Sequence, residues 1–202
     1  MKTIRTFIAI ELPAEAAAAL TALQQQLKAA VPPDSVRWTP ARNIHLTLHF
    51  LGDIPAEAVD PLGEALRAAA GQVSPFTLSL TGLGCFPNMH RPRIVWVGVA
   101  GAVNRLTALH RDLGERLSII NYQPEARPYA PHLTIGRVKK GLPSRRMGPL
   151  SEALQQFQPR VGRLADLPVR GIHLIQSDLK PAGPIYTPLV SAALTGPADT
   201  SS

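Results

Sequence analysis

The chain has 202 residues, 45% of them hydrophobic, and a formal net charge of +7 with an isoelectric point of about 10.2. It is too apolar to be disordered and has the size of one domain, or of two small lobes sharing an interface. A single cysteine, Cys85, excludes an internal disulfide and fits a reducing, cytoplasmic setting, and no apolar run approaches the roughly 18 residues of a bilayer span.

The excess of Lys and Arg, much of it Arg, attracts polyanions, chiefly nucleic acid or anionic lipid. In chain order, Thr3–Leu12 reads as a first strand ending at Pro13 rather than as a signal peptide, because Glu11 interrupts its short apolar run. Ala14–Val31 has a helical period through Leu20, Leu23 and Leu27 and stops at Pro32-Pro33. Val36–Thr39 is a short strand, and Asn43–Leu51 a longer one closed by Gly52-Asp53. Pro55–Ala70 reads as a second helix ended by Gly71. Pro75–Leu83 alternates like a strand, Cys85–Arg91 reads as a loop, and Arg93–Ala100 as a strong strand. A third helix, Val103–Leu117, carries Leu106, Leu109, Leu113 and Leu117 on one stripe. Pro131–Val138 is a strand, Lys139–Gly148 a basic loop and Pro149–Phe157 a short helix. Leu167–Ser177 and Ile185–Ala193 are the last strands, and Thr195–Ser202 is a frayed polar tail.

One pattern occurs twice. His45-Leu46-Thr47-Leu48 returns as His132-Leu133-Thr134-Ile135, once in each half. In a strand, residues i and i+2 share a face, so each copy offers an imidazole and a hydroxyl side by side with aliphatic neighbours turned inward. Helices and strands follow each copy in a similar order. The chain is therefore expected to be an α+β protein of two pseudo-symmetric lobes over residues 1–194. Two antiparallel sheets flanked by helices should enclose a central groove, with 195–202 as a flexible tail. Paired imidazoles suit phosphodiester hydrolysis: one takes a proton from water, the other gives one to the departing oxygen, and hydroxyls hold the phosphoryl oxygens. A 2′,3′-cyclic phosphate is a strained five-membered ring, so its opening needs less help than that of an ordinary diester.

The stretch His45–Gly52 and the segment 127–137 that carries the second motif resemble the paired signatures of the two-histidine phosphoesterases. Within that superfamily they resemble the RNA 2′,3′-cyclic phosphodiesterases, also called 2′-5′ RNA ligases. Arg5–Ile10, Val36–Pro40, Phe86-Pro87 and Pro92–Gly98 extend the resemblance to nearly the whole chain. It implies hydrolysis of a cyclic RNA end to a 2′-phosphate, with no metal or nucleotide cofactor. His45 would be the acid on the 3′ oxygen and His132 the base on water, and Arg137 would contact the phosphate. Joining the cyclic end to a 5′-hydroxyl as a 2′-5′ linkage is open to the same catalyst.

Plain strand alternation sets Arg137 on the face opposite His132, unless a bulge near Gly136 turns it back. The same alternation sets His49 on the His45 face, at the rim of the groove. Phe50 and Tyr129 are candidates for stacking on an unpaired base or for packing. His90, His110 and His173 read as structural or solvated, and Cys85 as inert. Lys139, Lys140, Arg145 and Arg146 form a solvated basic run that could also guide RNA backbone. No acidic residue or cysteine lies in either motif, so a metal site is not expected. The expected partner is RNA with a 2′,3′-cyclic phosphate end, met by a soluble monomer that binds no membrane. The competing readings are a phosphodiesterase for small cyclic phosphates such as ADP-ribose cyclic phosphate, and a non-catalytic RNA-binding module.

Overall fold

The computed structural model describes residues 3–122, 128–181 and 183–197. Its elements run β1 (Thr3–Glu11), α1 (Ala14–Ala30), β2 (Val36–Trp38), β3 (His45–Pro55), α2 (Val59–Ala70), β4 (Phe76–Phe86), β5 (Ile94–Gly101), α3 (Val103–Ile119), β6 (His132–Val138), α4 (Ser144–Phe157), β7 (Arg163–Val169), β8 (Gly171–Lys180) and β9 (Gly183–Ala193). All strand pairs are antiparallel. One sheet has the order β3-β1-β8-β9 and the other β2-β6-β5-β4-β7.

The expected α+β architecture with two sheets is present, and its symmetry is more specific than a division into halves. Matching β1 with β5, β3 with β6, β8 with β4 and β9 with β7 turns the first sheet order into the second, with β2 added outside β6. Each sheet therefore holds one motif strand, and each draws strands from both halves of the chain. Each motif does have its own half of the fold, but neither half is built from one contiguous half of the chain. β4 crosses to the sheet of the second motif, and β8–β9 return to that of the first.

Helix stripes close the core on the outer sides. Leu62 and Leu66 of α2 and Leu106, Leu109 and Leu113 of α3 are fully buried. α2 packs on β8 and β9, with α3 beside it and against β3, while α1 packs on β7 with α4 alongside. β1 is apolar on both faces: Ile8 and Ile10 join the main core, whereas Phe7 and Ala9 form a separate small cluster with Ile175 and half-buried Tyr186. That second face is where the first motif lies. Among the described residues, no helix is long and apolar enough to cross a membrane.

Several boundaries differ from expectation. β3 does not close at Gly52-Asp53 but runs on to Pro55, because Gly52 takes a positive φ of 71° and the pairing with β1, interrupted at Leu51, resumes at Gly52 itself. The helix expected from Pro55 begins as a 3₁₀ turn at Ala56–Ala58. Cys85 is a buried strand residue at the end of β4, not part of a loop. The single strand expected over Leu167–Ser177 is two strands parted at Arg170, where the chain leaves one sheet for the other. α4 starts at Ser144, inside the expected basic loop, and carries Pro149 within it. The tail is tied at its base: the amides of Thr195 and Gly196 donate to the carbonyls of Ala70 and Val73.

Candidate active site

The two motif strands share one departure from regular pairing. In β3, Thr47 pairs with Ala9 and His49 with Ile8, leaving Leu48 without a partner. In β6, Thr134 pairs with Trp96 and Gly136 with Val95, leaving Ile135 without one. Each is a bulge one residue after the threonine, and a bulge reverses the alternation beyond it. The burial patterns coincide over the motif: half-buried His and Thr alternate with buried aliphatics, two buried residues follow in succession, and the sixth residue is exposed.

This settles the facing of three residues. Arg137 returns to the side of His132 and Thr134. Phe50, at the same place in the first motif, returns to the side of His45 and Thr47. His49, expected at the groove rim, is turned into the interior instead. It is 5% exposed, and its Nε2–H donates to the His110 carbonyl at 2.9 Å.

Each bulge is held from behind by a helix. The orphaned Ile135 carbonyl accepts from the Thr39 amide and from Nε2 of buried Gln24 on α1, at 3.0 and 2.8 Å. The Leu48 carbonyl accepts from the His110 ring on α3. Burial pushes His110 down to about 4, and the nearby His49 adds to this, so the ring is neutral at neutral pH. His110 is stacked between His49 and Tyr129, at centroid distances of 4.1 and 3.9 Å. Tyr129 is thus a packing residue rather than a base platform, and its hydroxyl donates to the Thr47 carbonyl at 3.1 Å. Nothing in the sequence assigns Gln24 or His110 to the site, since neither belongs to a motif. The one signal was a polar residue on an apolar helical face.

The catalytic candidates are set in matching ways. His132 Nδ1–H donates to the Ala130 carbonyl, two residues back, at 2.7 Å, which leaves Nε2 free for chemistry. His45 meets the carbonyl of Asn43, also two residues back. The His45 ring lies flat on Phe7 at 4.4 Å and edge-on to Tyr186 at 5.3 Å. This burial pushes His45 down to about 4, while the Asn43 carbonyl opposes the shift. The His132 ring meets Phe86 edge-on at 4.9 Å and Trp96 at 6.3 Å. Trp96 lies directly over Gly84, where a Cβ would come within 2.2 Å of the indole. Phe50 is 55% exposed and 6.2 Å from Phe7. Among the described residues, neither Thr47 nor Thr134 spends its hydroxyl on a protein partner.

The two motif strands, β3 and β6, are in contact, and Tyr186 responds to both motifs. Its ring packs against His45, and its hydroxyl feels the positive charges of Arg137 and Arg5. Nothing in the sequence assigns Tyr186, Phe7, Phe86 or Trp96 to the site, because each lies on a strand other than the motif strands. Among the described residues, no three His, Cys, Asp or Glu side chains gather as a metal site. His173 lines a separate surface hollow with Arg170 and hydrogen-bonds Ser191. The backbone amides of His90 and Arg91 donate to Asn88 Oδ1, so His90 sits in a local turn. Lys139 pairs with Asp34, and Arg146 donates to the Pro33 carbonyl, so half of the basic run ties two turns together. Burial pushes Cys85 up to about 12.

A model of LigT-like phosphoesterases matches the chain twice, over residues 10–96 and 97–186. The chain belongs to the LigT-like phosphoesterase family. The two matched segments fit the duplication seen in the sheets. The chain is 32% identical over 184 residues to an RNA 2′,3′-cyclic phosphodiesterase of Methanothermobacter thermautotrophicus, covering 91% of this chain and 95% of that one. It is 38% identical over 141 residues to a protein of the same name from Geobacillus stearothermophilus; that match covers 70% of this chain and 44% of the relative's length. The structure of TT0787 from Thermus thermophilus superposes with a TM-score of 0.78 at 28% identity, covering 96% of this chain and all of that one. The expected two-histidine phosphoesterase relationship therefore holds for this LigT-like chain.

Proposed function

We propose that the chain hydrolyses 2′,3′-cyclic phosphate ends of RNA to 2′-phosphates, with His45 and His132 as the proton-transfer pair. The observation that carries this reading is the approach of the two motif strands, β3 and β6, to each other, with the charge of Arg137 felt at Tyr186, whose ring packs against His45. The relatives named as RNA 2′,3′-cyclic phosphodiesterases support the substrate.

In the proposed step, water attacks phosphorus and His132 Nε2 takes its proton. The bond from phosphorus to O3′ breaks, and His45 gives O3′ a proton. Thr47 and Thr134 donate to the non-bridging oxygens, Arg137 neutralises their charge, and exposed Phe50 offers a face to the terminal base. With a 5′-hydroxyl in place of water, the same step forms a 2′-5′ linkage. His45, held near 4 in the free site, is neutral at neutral pH. To act as the acid it must gain its proton with the substrate, and the phosphate anion favours that by its charge.

The test uses an oligoribonucleotide ending in a 2′,3′-cyclic phosphate, with EDTA present. His45→Ala and His132→Ala should each lower kcat by about 10²–10⁴, and the product phosphate should be on O2′. A substrate whose 3′ bridging atom is sulfur needs no acid, so it should restore His45→Ala but not His132→Ala. Rescue of His132→Ala alone would exchange the two roles. Turnover indifferent to both substitutions would end the mechanism.

A further inference from the structure

Arg37 belongs to neither motif. It lies in β2, whose register against β6 pairs Val36 with Val138, Arg37 with Arg137 and Trp38 with Gly136. Directly paired residues of antiparallel strands share a face, with Cβ atoms about 4.5–5.5 Å apart. The inner face is independently defined. A Cβ on Gly136 would lie 2.7 Å from the Val36 side chain and 3.1 Å from the Trp38 indole. Val36, Trp38 and Gly136 therefore share the interior side, and Arg37 and Arg137 project together from the other, both exposed.

Two guanidinium groups side by side repel each other, and like charges directly opposite on a sheet are destabilising. Lys139, Arg163, Arg116 and Lys180 are each matched by a carboxylate. Arg37 and Arg137 have no carboxylate partner among the described residues. A phosphate bound along the pair would offset this repulsion. Arg137 lies on the His132 face of β6 beyond the bulge, while Arg37 continues the positive charge outward along β2.

We propose that Arg37 is a second phosphate site, which takes the internucleotide phosphodiester on the 5′ side of the cyclic end. The preferred substrate class is then an oligonucleotide of at least two residues, not a free nucleoside cyclic phosphate. This rests on the reading of His45, His132 and Arg137 as the site of the cyclic phosphate. A phosphodiester carries one negative charge and two non-bridging oxygens, which suit the planar fork of a guanidinium.

The experiment compares adenosine 2′,3′-cyclic phosphate with the dinucleotide ApA bearing the same cyclic end. The wild-type kcat/KM should favour the dinucleotide. In Arg37→Ala the ratio of dinucleotide to mononucleotide kcat/KM should fall about tenfold, the loss of one charged hydrogen bond, with most of the change in KM. The slope of log kcat/KM against log salt for the dinucleotide should flatten by about 0.7, one phosphate contact on a single strand. Arg37→Lys should restore part of the ratio. Equal losses on both substrates would overturn the proposal, as would a wild type with no preference. So would a length-dependent loss found in Arg5→Ala instead, which would send the strand over the other sheet. Calorimetric binding of ApA 2′-phosphate against 2′-AMP tests Arg37 without turnover. If Arg37-dependent binding persists with no hydrolysis of either cyclic substrate, the phosphodiesterase reading fails and the phosphate site stands.

Discussion

His45 is neutral in the free protein because Phe7 and Tyr186 take it out of water. That has a consequence for stability. Its folded pKa, about 4, lies below the unfolded value of about 6.5. Between these values the unfolded chain binds more protons, so stability rises with pH across the window; it is fully present above 6.5 and lost as pH falls toward 4. The slope from His45 is at most about 1.4 kcal/mol per pH unit, and His110, also pushed down to about 4, adds to it in the same window. Denaturant unfolding at pH 4.5 and pH 7 should show this loss, and His110→Phe, which keeps a ring on Tyr129, should shrink it. An unchanged pH dependence in His110→Phe would mean that His110 titrates normally. At this scale the sequence was informative where a residue repeats. His45, Thr47, His132 and Thr134 could be read from a doubled pattern. His49 could not: it has the spacing of a groove residue, and only the unpaired Leu48 turns it inward. Its neutral partner His110 lies a helix away in the chain.

The bulges decide which side chains the motif strands present. A bulge is a property of two strands together, so it leaves no mark on one strand's own alternation. For the same reason the sequence places Arg137 only conditionally and ends β3 where Gly52 bends it. What secures the second bulge is Gln24, 4% exposed on α1, whose amide donates to both Thr39 and Ile135 carbonyls at 2.7 and 2.8 Å. Gln24→Leu removes the donor and leaves buried carbonyls short of a partner. It should cost about 1–3 kcal/mol of stability, and it should loosen Arg137 more than His132, which is held by its own bond to Ala130. The expected signature is a raised KM for cyclic-phosphate substrate with a smaller fall in kcat. Steady-state kinetics with a folded variant checks it, and a fall in kcat alone would show that the bulge serves His132 instead.

The duplication was legible in the order of motifs and elements, but not the exchange of strands between the halves. That exchange depends on Arg170, where one apparent strand divides between two sheets. No turn signal marks the division, because Pro168 lies inside β7 and only Gly171 follows. Its result is an interlocked molecule: β1 is paired on one side by β3 and on the other by β8, from opposite ends of the chain. The neighbour of β5 is β4, whose other side is covered by β7. Neither sheet can form from one half of the sequence, so we propose that residues 1–194 fold as one cooperative unit. The chain offers a direct check, because its two tryptophans, Trp38 and Trp96, both belong to the sheet of the second motif. Tryptophan fluorescence therefore reports one sheet, while far-ultraviolet circular dichroism reports both. In urea the two signals should trace a single coincident transition, as two-state behaviour requires. A fluorescence midpoint separated from the dichroism midpoint would show that one sheet survives without the other. The shared strands would then connect the lobes without coupling them, and the two motif histidines could be drawn apart without unfolding the molecule.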